Sequence, residues 1–376
     1  MSGFTPRIEP TYEPGGLDVT KRTYAALFGA LAVVALPATA TAATKTTTAG
    51  PPISKAPPGV PQYADATQFF PSTTTIHVGD SVKWKFAGFH SVFFPKKGGK
   101  NAQLAIGDPS KKYNDTDPAG SPFWFNGQIQ IIANPLAAFP VGTKTYDGKK
   151  ITASGVPQSN KFTYKLKFSK TGTFTYYCTI HPNMKAKVKV VSKSSSVPSS
   201  KADKKAVAKQ LASTLAELKK NNNRANAAAN VVEAGRDTNK TSLLAFFPTQ
   251  RTVPVGTTVE FRMSSHTNEI HTVTFGSDAV FAKGGYAEKQ ENALLSPLPG
   301  TGKNGPPELG FPGPVVFPSD PGPLSFDGTQ HGGFESSGLI GEKPQPTSTK
   351  FTFPKAGTYN FICMIHPEMK GRIVVQ

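Results

Sequence analysis

The sequence predicts an all-β protein of two tandem domains, each a small sandwich or barrel, joined by a partly helical linker. Three observations predict it. One unit occurs twice, co-linearly, within the 376 residues. Short runs in each copy alternate apolar with polar between glycine turns, as half-buried strands do. Only between the copies does the apolar period lengthen to that of a helix. With 35 Gly and 34 Pro against 37% hydrophobic residues, the composition suits many turns and short strands better than a helical enzyme.

Taken in chain order, the first element is a targeting pattern. Lys21-Arg22 precedes an apolar stretch from Tyr24 to Leu36 and then Ala38-Thr39-Ala40-Thr41-Ala42. A positive start, a short apolar run and small residues at alternate positions predict a secretion signal peptide over 1–42. The run is shorter than the ~20 residues a bilayer span needs, so no transmembrane span is expected after cleavage. Residues 43–64, rich in Pro, Thr and Lys, read as disordered.

The first copy, 65–192, opens with Phe69-Phe70-Pro71 leading to Val78-Gly79. The second, 241–376, repeats this as Phe246-Phe247-Pro248 leading to Val255-Gly256. The runs Ser81–Phe86, Lys161–Phe168 and Thr258–Met263 alternate as strands, and Lys185–Val191 and Arg372–Val375 close the copies. Between them, within the linker 193–240, Val207, Leu211, Leu215 and Leu218 fall on one helical face. Ser200 is the expected cap and Gly235 the expected stop.

The chemistry sits near the end of each copy. Cys178-Thr-Ile-His181-Pro-Asn-Met184 matches Cys363-Met-Ile-His366-Pro-Glu-Met369. A thiolate, an imidazole and a thioether on one tight turn can all reach one metal ion. A second, upstream His completes the His₂Cys-plus-Met set of copper electron-transfer sites. In the first copy that is His90. In the second, a gapless register from Gly79 and Gly256 puts Thr267 opposite His90, which leaves His266 and His271 both open. The context His271-Thr-Val-Thr-Phe275, beside His90-Ser-Val-Phe-Phe94, favours His271 with a four-residue insertion before it. The two cysteines sit identically in their own copies, which argues against a disulfide between them. His77, His266 and His331 have no partners at metal spacing and read as surface residues, and both tryptophans, Trp84 and Trp124, as core.

With these motifs in view, the two units resemble cupredoxins, and the compact Cys-x-x-His-Pro-x-Met turn looks like that of amicyanin. The resemblance implies two Greek-key β-sandwich cupredoxin domains, plastocyanin-like, each with one type 1 copper near one end. The implied ligands are His90, Cys178, His181 and Met184, then His271, Cys363, His366 and Met369. It also implies that His181 and His366 present their ring edges through an apolar surface patch. Two departures stand out. The stretches from His90 to Cys178 and from His271 to Cys363 are long inserts, sharing the echo Tyr146-Asp147-Gly148…Ser154-Gly155 and Phe326-Asp327-Gly328…Ser337-Gly338. They read as loops and small helices over the sheets. Ser91 and Thr272 stand where related proteins carry Asn, their hydroxyls still within reach of the Cys loop.

The resemblance implies an exported, non-catalytic electron carrier that cycles Cu(II)/Cu(I) and docks with redox partner proteins. An extracytoplasmic copper store or delivery protein is the alternative, though no Met-rich tract supports it. An enzyme is not expected: the cysteines have Tyr177 and Thr179, then Ile362 and Met364, as neighbours, and three spare histidines are too few for further coppers. Residues 43–192 carry 19 basic and 6 acidic side chains, whereas 241–376 carry 10 and 11. No nucleic-acid motif accompanies the basic half, so an acidic redox partner or an anionic cell envelope is expected there.

Overall fold

The computed structural model describes residues 42–51, 58, 64–159, 161–303, 305–341 and 344–376. Apart from Ala42, the expected signal peptide lies outside the described residues. No helix among them is long and apolar enough to cross a membrane.

The chain is all-β apart from one long helix and several short ones, and it forms two sandwiches in tandem. In the first, one sheet orders Thr145–Tyr146, Thr163–Phe168, Ser81–Phe86, Thr44–Ala49 and Phe69–Phe70. The facing sheet orders Thr73–His77, Lys185–Val191, Gly172–Tyr177, Phe93–Phe94, Thr152–Ser154 and Pro140–Val141. Their inward side chains make an aromatic core in which Trp84, Phe94, Phe168 and Tyr176 are fully buried. Each such side chain contributes about 1.5–3 kcal/mol by leaving water. The second sandwich repeats the plan around Phe246, Phe261, Phe275, Phe351 and Phe361.

Both boundaries expected from composition move outward. Residues 44–49, expected to be disordered, form a strand paired in parallel with Ser81–Phe86, from Thr44 opposite Ser81 to Ala49 opposite Phe86. Alternating burial of Thr47 and Ala49 supplies the inward face, which a run of threonines conceals in a hydrophobicity reading. Likewise Val231–Asp237, assigned to the linker, is a strand between Ser242–Phe247 and Thr258–Arg262. It is buried on both faces, so its polar residues must pair internally. Arg236 Nε donates to Glu233 at 2.9 Å, and its guanidinium lies 4.1 Å from the Phe247 ring centroid. Gly235, the expected helix stop, lies instead in a bulge of this strand with φ +78°.

The helix runs Ser200–Asn222 and is capped by Ser199, one residue before the expected Ser200. Its N-terminal half packs on the first sandwich: Gln210 Nε2 donates to Phe69 O at 2.9 Å, and Lys45 pairs with Asp203 at 2.7 Å. Its C-terminal carbonyls meet the second sandwich, where Arg236 Nη1 donates to Asn221 O, Asn222 O and Arg224 O at 3.3, 3.2 and 2.7 Å. A buried cation at a helix C-terminus satisfies carbonyls that otherwise lack donors. The helix is therefore a strut joining the two sandwiches.

Two further features join them. The strand Ala64–Asp65, just before the first sandwich's Phe69–Phe70, pairs with Ser242–Leu243 and so forms the edge of the second sandwich's sheet. The two long inserts pack on one another, and their shared core reaches Ile362 of the second sandwich's sheet. The hairpin Ala105–Lys112/Ile129–Ala133 bridges to Gly310, and Tyr113, Phe123 and Phe125 from the first insert share a core with Val280, Val315 and Phe334. Trp124, expected in the core, is 42% exposed at this seam and donates to Pro318 O at 2.8 Å.

Candidate metal centres

Each sandwich gathers the same side chains at one end. Cys178 ends the strand Gly172–Tyr177, and its turn is closed by Met184 N→His181 O at 3.0 Å and Cys178 N→Met184 O at 2.9 Å. The matching bonds in the second copy, Met369 N→His366 O and Cys363 N→Met369 O, are 2.8 and 3.0 Å. One tight turn thus fixes Cys, His and Met together, and Met184 and Met369 are fully buried in the same cores as the cysteines.

The upstream histidine arrives from across the sandwich. His90 Nδ1 lies 3.0 Å from His181 Nδ1, and Cys178 Sγ lies 3.5 Å from His181 Nδ1. In the second copy His271 Nδ1 lies 3.1 Å from His366 Nδ1, and Cys363 Sγ is 3.8 and 3.7 Å from the two nitrogens. His271, and not His266, occupies the place of His90. Both cysteines are free and fully buried. Burial disfavours the thiolates, but the facing imidazoles hold both thiols well below the usual range.

Hydrogen bonds fix the sulfurs further. Ser91 N and Thr272 N donate to Cys178 Sγ and Cys363 Sγ at 3.3 and 3.4 Å. Ser91 Oγ accepts from Thr179 N, and Thr272 Oγ1 from Met364 N, both at 2.8 Å. These hydroxyls tie the upstream His segment to the Cys loop. The insert echo is structural too: Ser154 Oγ accepts from Val92 N, and Ser337 Oγ from Val273 N, each at 2.9 Å, bracing the strand after each upstream His.

The Nε2 edges of the rings reveal residues that the motifs did not. A glycine makes room for the upstream His in each sandwich, directly after the first strand in one and within it in the other. A Cβ on Gly50 (φ +81°) would stand 2.7 Å from His90 Nε2, and one on Gly235 2.7 Å from His271 Nε2. Asp65 Oδ1 lies 3.4 Å from His90 Nε2. Burial opposes a charge on His90, yet Asp65 raises its pKa to about 9. Glu269 lies between the two centres: Oε1 is 2.9 Å from His181 Nε2 and Oε2 is 3.6 Å from His366 Nε2. Burial opposes its charge, but His181 and then His366 hold the carboxyl well below the usual range.

This corrects one implication of the family resemblance. His181 does not reach the surface; it is 3% exposed, and its outer edge meets a carboxylate of the other sandwich. The reason is the insertion before His271. Its Asn268 and Glu269 backbone N–H groups are held by Asp237 Oδ2 at 2.8 and 3.2 Å, which presents Glu269 to the first centre. That insertion was the available sequence signal for Glu269. Asp65 had none, because its role depends on a two-residue strand pairing with the far half of the chain.

No family model and no curated protein matches the chain. Solved structures similar to it include oxidised plastocyanin from Dryopteris crassirhizoma, 22% identical, covering 39% of this chain and 99% of that one at a TM-score of 0.20. An amicyanin mutant in the Cu(I) form is 18% identical, covering 41% and 87% at 0.19. Reduced auracyanin from Roseiflexus castenholzii is 20% identical, covering 40% and 98% at 0.21.

Proposed function

We propose that this chain is an exported electron carrier with one copper ion in each sandwich. His90, Cys178, His181 and Met184 would hold the first, and His271, Cys363, His366 and Met369 the second. The observation that carries this reading is the repeated convergence of two imidazole Nδ1 atoms and one thiol sulfur on a buried point beside a methionine-bearing turn. The donors fit the metal, since thiolate and thioether suit Cu(I) and imidazole suits Cu(II). Copper bound there supplies one-electron chemistry. The chain contributes stiffness: one tight turn in each copy fixes three donors, backbone N–H groups point at both sulfurs, and Ser91 and Thr272 lock the loops. Glu269 adds a short polar bridge from His181 to His366, which supports exchange between the two centres as well as with partners.

Export is inferred from the pattern over 1–42. The basic excess over 43–192 suits an acidic redox partner docking on the first half, at a rate that falls as salt rises.

Copper titration of the purified chain, followed in the visible region, tests the reading. Two copper ions per chain and an intense thiolate-to-copper band are expected, with Cys178→Ser and Cys363→Ser each removing one ion and about half of the band. A colourless protein that takes up only Cu(I) would overturn electron transfer in favour of storage or delivery.

A further inference from the structure

His331 is not a lone surface histidine. Its Nε2 lies 3.3 Å from Asp320 Oδ1 and 3.7 Å from Glu335 Oε2, and its Nδ1 lies 3.6 Å from Asp117 Oδ2. Asp117 comes from the first insert and the other three residues from the second, so the cluster stands at the seam between them. Each member is held in place. Asp117 Oδ1 accepts from Ala119 N and Ser121 N at 2.8 and 2.9 Å, which turns Oδ2 toward the imidazole. Glu335 is fixed in the strand Phe334–Ser336, paired with Thr274–Gly276. His331 adopts a left-handed backbone (φ 45°, ψ 44°), and the Phe123 ring packs on it at 5.6 Å between centroids. A non-glycine residue held in that region costs roughly 1–3 kcal/mol and persists only where its surroundings determine it.

Glu335 is the informative member. It is 0% exposed, and neither carboxyl oxygen has a hydrogen-bond partner among the described residues. Native proteins rarely leave a buried carboxyl unpaired, because its desolvation goes uncompensated. Burial, with Asp320 nearby, pushes this carboxyl up to about 9. A protonated His331 is a single positive charge facing three carboxyls. A divalent cation would satisfy Glu335 and Asp320 together. Two N/O ligands about 2.0–2.2 Å from one tetrahedral ion stand about 3.3–3.5 Å apart, close to the separations found here.

We propose that Asp320, His331 and Glu335 form a third metal site, which takes a divalent transition cation of the zinc type and braces the second insert where it meets Asp117 of the first. Asp117 is a positioning residue: its carboxylate, 3.6 Å from His331 Nδ1, favours the tautomer with the proton on that nitrogen and so leaves the Nε2 lone pair to the metal, as carboxylates behind zinc-bound histidines do. One imidazole with carboxylates suits zinc better than the all-oxygen shell of calcium or magnesium. The site is independent of the two cysteine centres and of the function proposed for them.

The test is a calorimetric Zn²⁺ titration of the full chain whose cysteine centres have been filled with copper and whose excess metal has been removed. The same titration on the Cys178→Ser/Cys363→Ser chain keeps the result separate from the copper reading. One zinc ion per chain more than in His331→Ala is expected in both backgrounds. Glu335→Gln, which keeps the buried shape, should weaken that ion at least 100-fold, and Asp117→Asn by about 10–100-fold. Any visible copper band should be unchanged in all three variants. Zinc uptake that is the same in the parent, His331→Ala and Glu335→Gln, or no uptake by the parent at about 100 μM, would overturn the site.

Discussion

In the first sandwich the outer edge of each imidazole faces a carboxylate: Asp65 lies 3.4 Å from His90, and Glu269 lies 2.9 Å from His181. In the second, His271 makes no ion-pair contact among the described residues, Asp237 acting on it only from farther off, and His366 shares Glu269 at 3.6 Å. One motif has thus been wrapped in two ways. The donor sets match, so any difference between the centres must come from their surroundings. Negative charge beside a site favours the more highly charged ion. The first centre is therefore expected to have the lower potential, so that electrons move from first to second.

The largest expected effects come from the two glycines. A Cβ on Gly50 would stand 2.0 Å from the Ala87 carbonyl oxygen as well as beside His90, whereas the nearest atoms to one on Gly235 all belong to the His271 ring. Backbone cannot yield as a ring can. Gly50→Ala is expected to cost about 2–4 kcal/mol in urea unfolding. Gly235→Ala is expected to cost less and to show mainly as lost copper in the second site, measured by metal analysis. Equal losses in both variants would mean that the two glycine positions are equivalent, against this comparison.

Glu269→Gln should raise the potentials of both centres together, the first by on the order of 100 mV and the second by less, following the two contact distances. Voltammetry of the copper-loaded variant checks this; a shift confined to one centre breaks the bridge. Asp65→Asn should raise the first potential alone, by on the order of 50 mV, and so narrow the gap between the centres.

The smallest effect concerns the loop that presents Glu269. Burial pushes the Asp237 carboxyl up to about 6, against the pull of His271 and aided by Glu269. A carboxyl whose folded pKa exceeds its unfolded one stabilises the fold when protonated. That contribution is complete below about pH 4 and is lost as pH rises through 6. Asp237→Asn should remove this limb. Unfolding free energies from urea titrations at pH 4 and pH 7.5 should then differ less in the variant, by about 1 kcal/mol. An unchanged difference would show that Asp237 stays ionised throughout.

What the sequence made legible follows one rule. The Cys-x-x-His-x-x-Met turns are local, and the strands Lys185–Val191 and Ser81–Phe86 alternate in plain view, so each could be read directly. Thr44–Ala49 and Val231–Asp237 could not, because neither has a hydrophobic period of its own. The first takes its inward face from threonines, and the second is buried on both sides under the helix. Asp65, Glu269 and the His331 cluster depend on where one half of the chain touches the other. A repeat shows that two units exist; it carries no record of how they face each other.

The two-residue strand Ala64–Asp65 shows how far that meeting has gone. It stands before the first sandwich's Phe69–Phe70, hydrogen-bonds into the second's sheet and turns its carboxylate back toward His90. Such a crossed latch ties the two halves together. Either half released by cutting the helix would lose something it needs: the second a partner for its outermost strand, the first the anchor that aims Asp65. The two halves meet as a dovetail joint, each holding a piece that the other's sheet or centre uses.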